Sequence, residues 1–292
     1  MKWAIIVHGG AHTIGAEKIE PHKAGCLRAV DAASTLLETG ASSLEAVEAA
    51  IRTLEGDPIF NAGFGSMLNA DGEAEMDAAI MEGEHLAAGA VAAIQGVRHP
   101  ISVARRLLET DTVLLSGEGA HRFAIDQGAE LCRPNEMIHE EQVLAWRANK
   151  AKRGSDTVGC VALDARGNFA AGTSTGGLMH KPKGRIGDSP LIGLGLYADN
   201  AAGGCALTGD GESIMRMALA HRIIDSMLHG ADADHAADEA IAVMARRVGG
   251  EAGCIVLDRQ GRIGFAHNSD HLAHAYRTAE MKSGIASVSK VS

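Results

Sequence analysis

A threonine at a junction constrains this chain more than any other residue. Thr157 heads the run Thr157-Val158-Gly159-Cys160-Val161-Ala162-Leu163, after the polar segment 150–155 and before a turn at 165–168. A short apolar run bounded by turn residues reads as a buried strand. A hydroxyl at the mouth of a strand is a poor nucleophile at pH 7 until a base takes its proton. A cut between Asp156 and Thr157 would supply that base on the same residue, as an α-amino group with a reference pKa of about 7.7–8.0.

The rest of the chain reads as layered α and β. A short buried strand at 3–7 precedes Gly9-Gly10, and a helix follows at about 22–38. A second helix is marked by a capping box of Ser42 and Glu45 and by Leu44, Val47, Ile51 and Leu54 on one face, and it ends at Gly56 and Pro58. Strands are expected at 74–81, 86–94 and 113–115, with helices at 100–109, 118–127 and 135–150. The second half opens with a hairpin of 157–163 and 169–173. A strand at 205–207, helices at 211–228 and 233–248, and a hairpin of 254–257 and 264–267 follow. Strict strand–helix alternation, which would call for a fully parallel sheet, is absent.

Composition narrows the function classes. The 292 residues are 46% hydrophobic and 22% charged, ordinary for a globular chain with ample material for a core. A formal net charge of −10 argues against nucleic-acid or anionic-membrane surfaces. No apolar run approaches the ~18 residues of a membrane span, and residues 1–7 are too short for a signal segment, so the cytoplasm is expected. Cys26, Cys132, Cys160, Cys205 and Cys254 are scattered and never form C-x-x-C, which fits free thiols better than a disulfide framework or zinc. His267, His271 and His274 invite a metal reading, but they follow an expected strand rather than sharing a helix face.

Behind Thr157 come, in order, Thr173-Ser174-Thr175-Gly176-Gly177, Gly184-Arg185-Ile186-Gly187-Asp188-Ser189-Pro190, Tyr197-Ala198-Asp199-Asn200 and Thr208-Gly209-Asp210-Gly211-Glu212. With His8-Gly9-Gly10-Ala11 and Phe60-Asn61-Ala62-Gly63, this order resembles the plant-type (type III) L-asparaginase and isoaspartyl peptidase family of N-terminal nucleophile (Ntn) hydrolases. The resemblance runs from about residue 2 and thins over the last fifty residues. It implies an α+β fold, a four-layer αββα sandwich built as one domain from two chains of one precursor. Residues 1–156 would be the α subunit, with a flexible linker at about 148–156, and 157–292 the β subunit, with Thr157 at its N-terminus.

The resemblance also implies roles. Thr157 would be the nucleophile, Thr175 would support its hydroxyl, and the Thr208 hydroxyl and Gly209 N–H would form the oxyanion site. Arg185 and Asp188, with Thr208, Gly209 and Gly211, would hold the substrate. Arginine suits an α-carboxylate because its planar fork donates two parallel hydrogen bonds. Asp188 would face the α-ammonium, and Asn61 would order the first-half side of the site. Backbone carbonyls of Leu54, Glu55, Asp57, Phe60, Ala62 and Phe64 match a loop that holds a structural sodium ion; no cofactor is expected for catalysis. Partners would be small β-aspartyl substrates and a second copy in an (αβ)2 assembly.

The activity implied is hydrolysis of β-aspartyl dipeptides and of the side-chain amide of L-asparagine through a β-aspartyl ester on Thr157. Many members with asparaginase activity have glycine before the nucleophile, whereas here Asp156 stands there, as in the glycosylasparaginase branch; Gly176-Gly177 follows the isoaspartyl peptidase pattern instead. A glycosylasparaginase-like amidase is therefore the enzyme alternative. An unprocessed scaffold that keeps the fold is the alternative from another class.

Overall fold

A computed structural model describes residues 2–148 and 156–288. In chain order the elements are β1 (Ala4–Ala11), α1 (Ala16–Glu38), α2 (Ser43–Glu55), β2 (Met76–Glu82), β3 (Ala88–Ile94), α3 (Pro100–Leu107), β4 (Leu114–Ser116), α4 (Gly117–Asp126), α5 (Glu140–Arg147), β5 (Val158–Leu163) and β6 (Phe169–Thr175). Then come β7 (Leu196–Asp199), β8 (Gly203–Gly209), α6 (Gly211–Met217), α7 (Leu219–Leu228), α8 (Ala233–Arg247), β9 (Ala252–Asp258), β10 (Ile263–His267), β11 (Leu272–Thr278) and β12 (Ile285–Ser287).

The strands form two sheets. One has eight strands in the order β12-β11-β1-β5-β6-β2-β3-β4, the other four in the order β10-β9-β8-β7. Strands from before and after Thr157 are interleaved in the larger sheet, so neither half could complete it alone.

Period-two alternation assigns each strand's faces. On β1, Ile5 and Val7 face outward, toward α1, while Ala4 and Ile6 face inward; Val47 and Ile51 of α2 cover β5 and β6. On β5 and β6 the inward residues are Val161, Leu163, Phe169 and Ala171, which meet Ala206, Ile255 and Leu257 of the smaller sheet. A third cluster, including Ile223, Ile224 and Ile241 of α7 and α8, covers the outer face of that smaller sheet. The layers are therefore helix, sheet, sheet, helix, the αββα sandwich of the Ntn hydrolases. Full burial of each such aliphatic side chain contributes about 1.5–3 kcal/mol, so the inner layer holds the sheets face to face.

Several local expectations hold. Ser42 and Glu45 make the reciprocal capping box of α2, Ser42 Oγ accepting from Glu45 N–H at 3.2 Å and Glu45 Oε2 accepting from Ser42 N–H at 2.8 Å. Others need correction. The expected 135–150 helix is a 3-10 turn at Pro134–Met137 followed by α5, because Ile138 and His139 adopt extended backbone between them. The 211–228 helix breaks at Ala218, whose left-handed φ of 48° ends α6 and starts α7. β1 runs through Gly9-Gly10 with a bulge between His8 and Ala11. The sequence reading missed β7, β11 and β12. The linker at 148–156 lies, for 149–155, outside the described residues. Among the described residues, no helix is long and apolar enough to cross a membrane.

Candidate active site

The site lies where β5, β6 and β8 end together. Val158 pairs with Ser174 across β5 and β6, and one more step along both strands sets Thr157 beside Thr175. Both threonines share the inward parity of Val161 and Ala171. The opposing sheet keeps step: a Cβ on Gly204 would lie 2.8 Å from Val161 Cγ1, and one on Gly159 would lie 2.9 Å from Ala206 Cβ. Advancing two residues again brings Thr208 over against Thr157. The structure thus gathers the sequence-assigned Thr157, Thr175 and Thr208 from three strands and both sheets. They are 1%, 2% and 0% exposed, so the hydroxyls stand in a cleft from which bulk water is largely excluded.

The Thr157 and Thr175 hydroxyls are held by another hydroxyl and by backbone. Thr157 Oγ1 lies 3.2 Å from Ser189 Oγ, and Thr173 Oγ1 donates to Ser189 O at 2.6 Å. Thr175 Oγ1 accepts from Gly177 N–H at 3.0 Å. Asn61 braces the same turn from the first half of the chain. Its Nδ2 donates to Gly177 O at 2.7 Å, its carbonyl accepts from Gly176 N–H at 3.0 Å, and its Oδ1 accepts from Met67 N–H at 2.7 Å. Gly209 ends β8 opposite Ala252 with a φ of 134°, a conformation that glycine adopts without the strain a Cβ would bring.

The charged part of the site sits at residues 185–188 and the start of α6. Arg185 gives its Nε and Nη2 edge to Glu212, at 2.9 and 2.7 Å. Its Nη1 donates to no described residue, so the other edge of the fork is available for a second carboxylate. Asp188 is 3% exposed, and its Oδ2 has no hydrogen-bond partner among the described residues. Burial pushes its carboxyl up to about 7, against the opposing pull of its own backbone and of Arg185. A buried carboxylate oxygen without a donor is costly unless a cation completes it. Gly211 is small for a steric reason: a Cβ there would lie 2.9 Å from Asp188 Oδ1 and 3.1 Å from Arg185 Nη2. An empty fork edge beside an empty carboxylate oxygen matches a zwitterion that carries both an α-carboxylate and an α-ammonium.

The sequence reading passed over three neighbours. Ser189 hydrogen-bonds the nucleophile, Thr173 shares the inward face with Thr175, and Glu212 orients Arg185. Two were recoverable: Thr173 and Thr175 are an i, i+2 pair, and Ser189 follows Asp188 directly. Glu212 had no such signal, since its role depends on α6 starting beside Arg185.

The 54–64 loop continues directly from the end of α2. Its backbone folds so tightly that a Cβ on Gly63 would lie 2.3 Å from Glu55 O and one on Gly65 would lie 2.0 Å from Phe60 O. Leu54 O, Asp57 O and Ala62 O accept backbone hydrogen bonds from Asp57, Phe60 and Gly65, and Leu54 O also faces the Gly56 N–H. The Glu55 side chain is engaged elsewhere, with His99 at 3.1 Å, Ile101 N–H at 3.0 Å and Ser174 Oγ at 2.7 Å. Clustered neutral oxygens with no free side-chain ligand fit a hard monovalent cation. The histidine reading fares differently: His274 packs against Phe265 and Tyr276, with ring centroids 4.1 and 6.5 Å away.

The family model described as asparaginase matches residues 1–286. The chain is 45% identical to the plant-type L-asparaginase of Pyrococcus horikoshii, covering 97% of each chain. It is 44% identical to the isoaspartyl peptidase/L-asparaginase of Xenopus laevis, over 89% of this chain and 87% of that one. To the protein of the same name from Rattus norvegicus it is 41% identical, over 88% and 80%.

Proposed function

The chain belongs to the asparaginase family, and from that premise we propose that it is a self-processing threonine hydrolase acting on β-aspartyl dipeptides and L-asparagine. The observation that carries this reading is the pairing of a buried three-threonine cleft with an unfilled Arg185 edge and an unfilled Asp188 oxygen.

In the precursor, Thr157 Oγ1 attacks the Asp156 carbonyl carbon. The new C–O bond replaces the C–N bond, and the hydroxyl proton ends on the Thr157 nitrogen. Water then hydrolyses the ester, returning the hydroxyl and leaving a carboxylate on Asp156 and a free amine on Thr157. In turnover that amine accepts the hydroxyl proton as Oγ1 attacks the substrate's side-chain carbonyl, and it passes the proton to the departing amine. Water releases aspartate from the ester. The Thr208 hydroxyl and Gly209 N–H stabilise the developing oxyanion, while Arg185 and Asp188 hold the α-carboxylate and α-ammonium.

The 54–64 carbonyls would hold a structural sodium ion that takes no part in the chemistry. Two such units associate as (αβ)2, and five scattered cysteines with no C-x-x-C pair support a cytoplasmic location.

The test is intact mass and N-terminal sequencing after incubation, combined with aspartate release. Two fragments, one beginning Thr-Val-Gly-Cys, and turnover of a β-aspartyl dipeptide are expected. Thr157→Ala should abolish both. Turnover of a β-N-glycosyl asparagine in preference to the dipeptide would move the assignment to the glycosylasparaginase type.

A further inference from the structure

We propose that His12 is a positioning residue for self-cleavage, holding the Asp156 side chain so that the scissile carbonyl stays within reach of Thr157 Oγ1. The proposal rests on the reading that the chain matures between these two residues. His12 Nδ1 lies 2.5 Å from Asp156 Oδ1, and the two side chains are only 12% and 10% exposed.

The arrangement is built from fixed parts. The His12 N–H donates to His271 O at 3.1 Å, which ties the segment after β1 to the start of β11. The His12 ring leans on His22, with centroids 5.8 Å apart, and His22 meets the edge of fully buried Phe60 at 5.5 Å. His22 Nδ1 is itself held 2.8 Å from Lys18 O. Contacts therefore run without a gap from the core to Asp156. Gly10 admits them: at a φ of 108°, a Cβ there would lie 3.0 Å from Asp156 Cα and 3.2 Å from His12 Nδ1. The pairing register of β1 shifts between His8 and Ala11, immediately before His12.

The scissile bond is thus held on both sides, by His12 at the Asp156 side chain and by Ser189 at the Thr157 hydroxyl. An intramolecular acyl shift depends on how often the hydroxyl meets the carbonyl carbon in a reactive pose, and a misplacement near 1 Å can cost about 10²-fold. After cleavage Asp156 is no longer bonded to the nucleophile. His12 then has no task in turnover, which predicts a split that a general structural role would not give.

The experiment follows intact mass against time for freshly purified wild type, His12→Ala, His12→Gln, Asp156→Ala and the His12→Ala/Asp156→Ala double variant. Turnover is then measured on the cleaved fraction of each. His12→Ala should slow fragment appearance about 10²-fold while kcat and KM per cleaved molecule stay at wild-type values. His12→Gln, whose amide keeps a polar group of similar reach beside Asp156, should recover most of the rate, and the double variant should be no slower than Asp156→Ala, because the two side chains act as a unit.

Cleavage of His12→Ala at the wild-type rate overturns the proposal. So does additive slowing in the double variant, or an equal loss of kcat in cleaved His12→Ala. Should His12→Ala fail to fold, Asp156→Ala against His12→Gln decides: a fast Asp156→Ala overturns the proposal. A wild-type chain that never cleaves overturns the maturation reading and this inference with it, whereas a cleaving wild type beside an equally fast His12→Ala overturns this inference alone.

Discussion

The wall of the cleft built from the larger sheet carries hydroxyls, whereas the wall built from residues 184–190 and the start of α6 carries charge. Thr157, Thr173 and Thr175 hold one another's surroundings in place through Ser189 and Gly177 without an ionised group among them. Arg185, Asp188 and Glu212 face them with a fork, a buried carboxyl and an anchoring carboxylate. The difference follows from desolvation. A neutral nucleophile can wait in a dry cleft at little cost, while a charge there must be paired or left incomplete until its partner arrives. Arg185 is paired on one edge, and Asp188 stays incomplete, which is why its carboxyl rises towards neutrality.

That contrast predicts different kinetic signatures on the two sides. The largest effect expected short of removing the nucleophile is at Thr208: replacement by alanine should lower kcat by about 10²–10³, a loss of about 2.7–4 kcal/mol of oxyanion stabilisation, with KM nearly unchanged in steady-state assays. A rise in KM alone would break the assignment of Thr208 to the oxyanion site. Next is Arg185→Lys, which keeps the charge and loses the fork. One charge-assisted hydrogen bond is worth about 1.5–3 kcal/mol, so kcat/KM should fall about 10–150-fold through KM, while the mass assay shows normal cleavage.

The pH profile sharpens the comparison further. Asp188 must be ionised to hold an ammonium, and burial lifts its carboxyl to about 7. In addition to the limb that the Thr157 amine sets at about 8, the protonated Asp188 carboxyl dominates below about 7, so kcat/KM for a β-aspartyl dipeptide should fall by a further factor approaching tenfold per unit as pH drops below that value. The same profile measured on Asp188→Asn should be low and lack this further fall. The smallest effect belongs to Ser189→Ala, which removes one neutral hydrogen bond to Thr157; at about 0.5–1.5 kcal/mol it should lower kcat two- to tenfold. A loss as large as that of Thr208→Ala would mean that Ser189 touches the reacting atoms.

Much of the architecture was legible because its signals are local. The capping box of Ser42 and Glu45, Pro100 at the start of α3, and the paired apolar runs of β5 with β6 and of β9 with β10 all appear where spacing and turn residues place them. The failures have equally local causes. Ala218 is a good helix former in a left-handed conformation, which tertiary packing imposes and propensity opposes. β7 is four residues long and β12 three, too short for an alternating pattern to stand out.

By itself, then, the sequence determined the order of the chemistry: a threonine heading a buried strand, a turn of glycines after Thr175, an arginine and an aspartate three residues apart, and a threonine–glycine pair before a helix. Only the tertiary structure decided that these meet. Thr157 and Thr208 belong to different sheets, and their opposition depends on the step between β5 and β8, which Gly159, Val161, Gly204 and Ala206 set by packing. The same holds for His12 beside Asp156 and for Glu212 on the far edge of Arg185. Periodicity and caps act over a few residues and are written along the chain, whereas the register between two packed sheets arises from side-chain volumes distant in sequence.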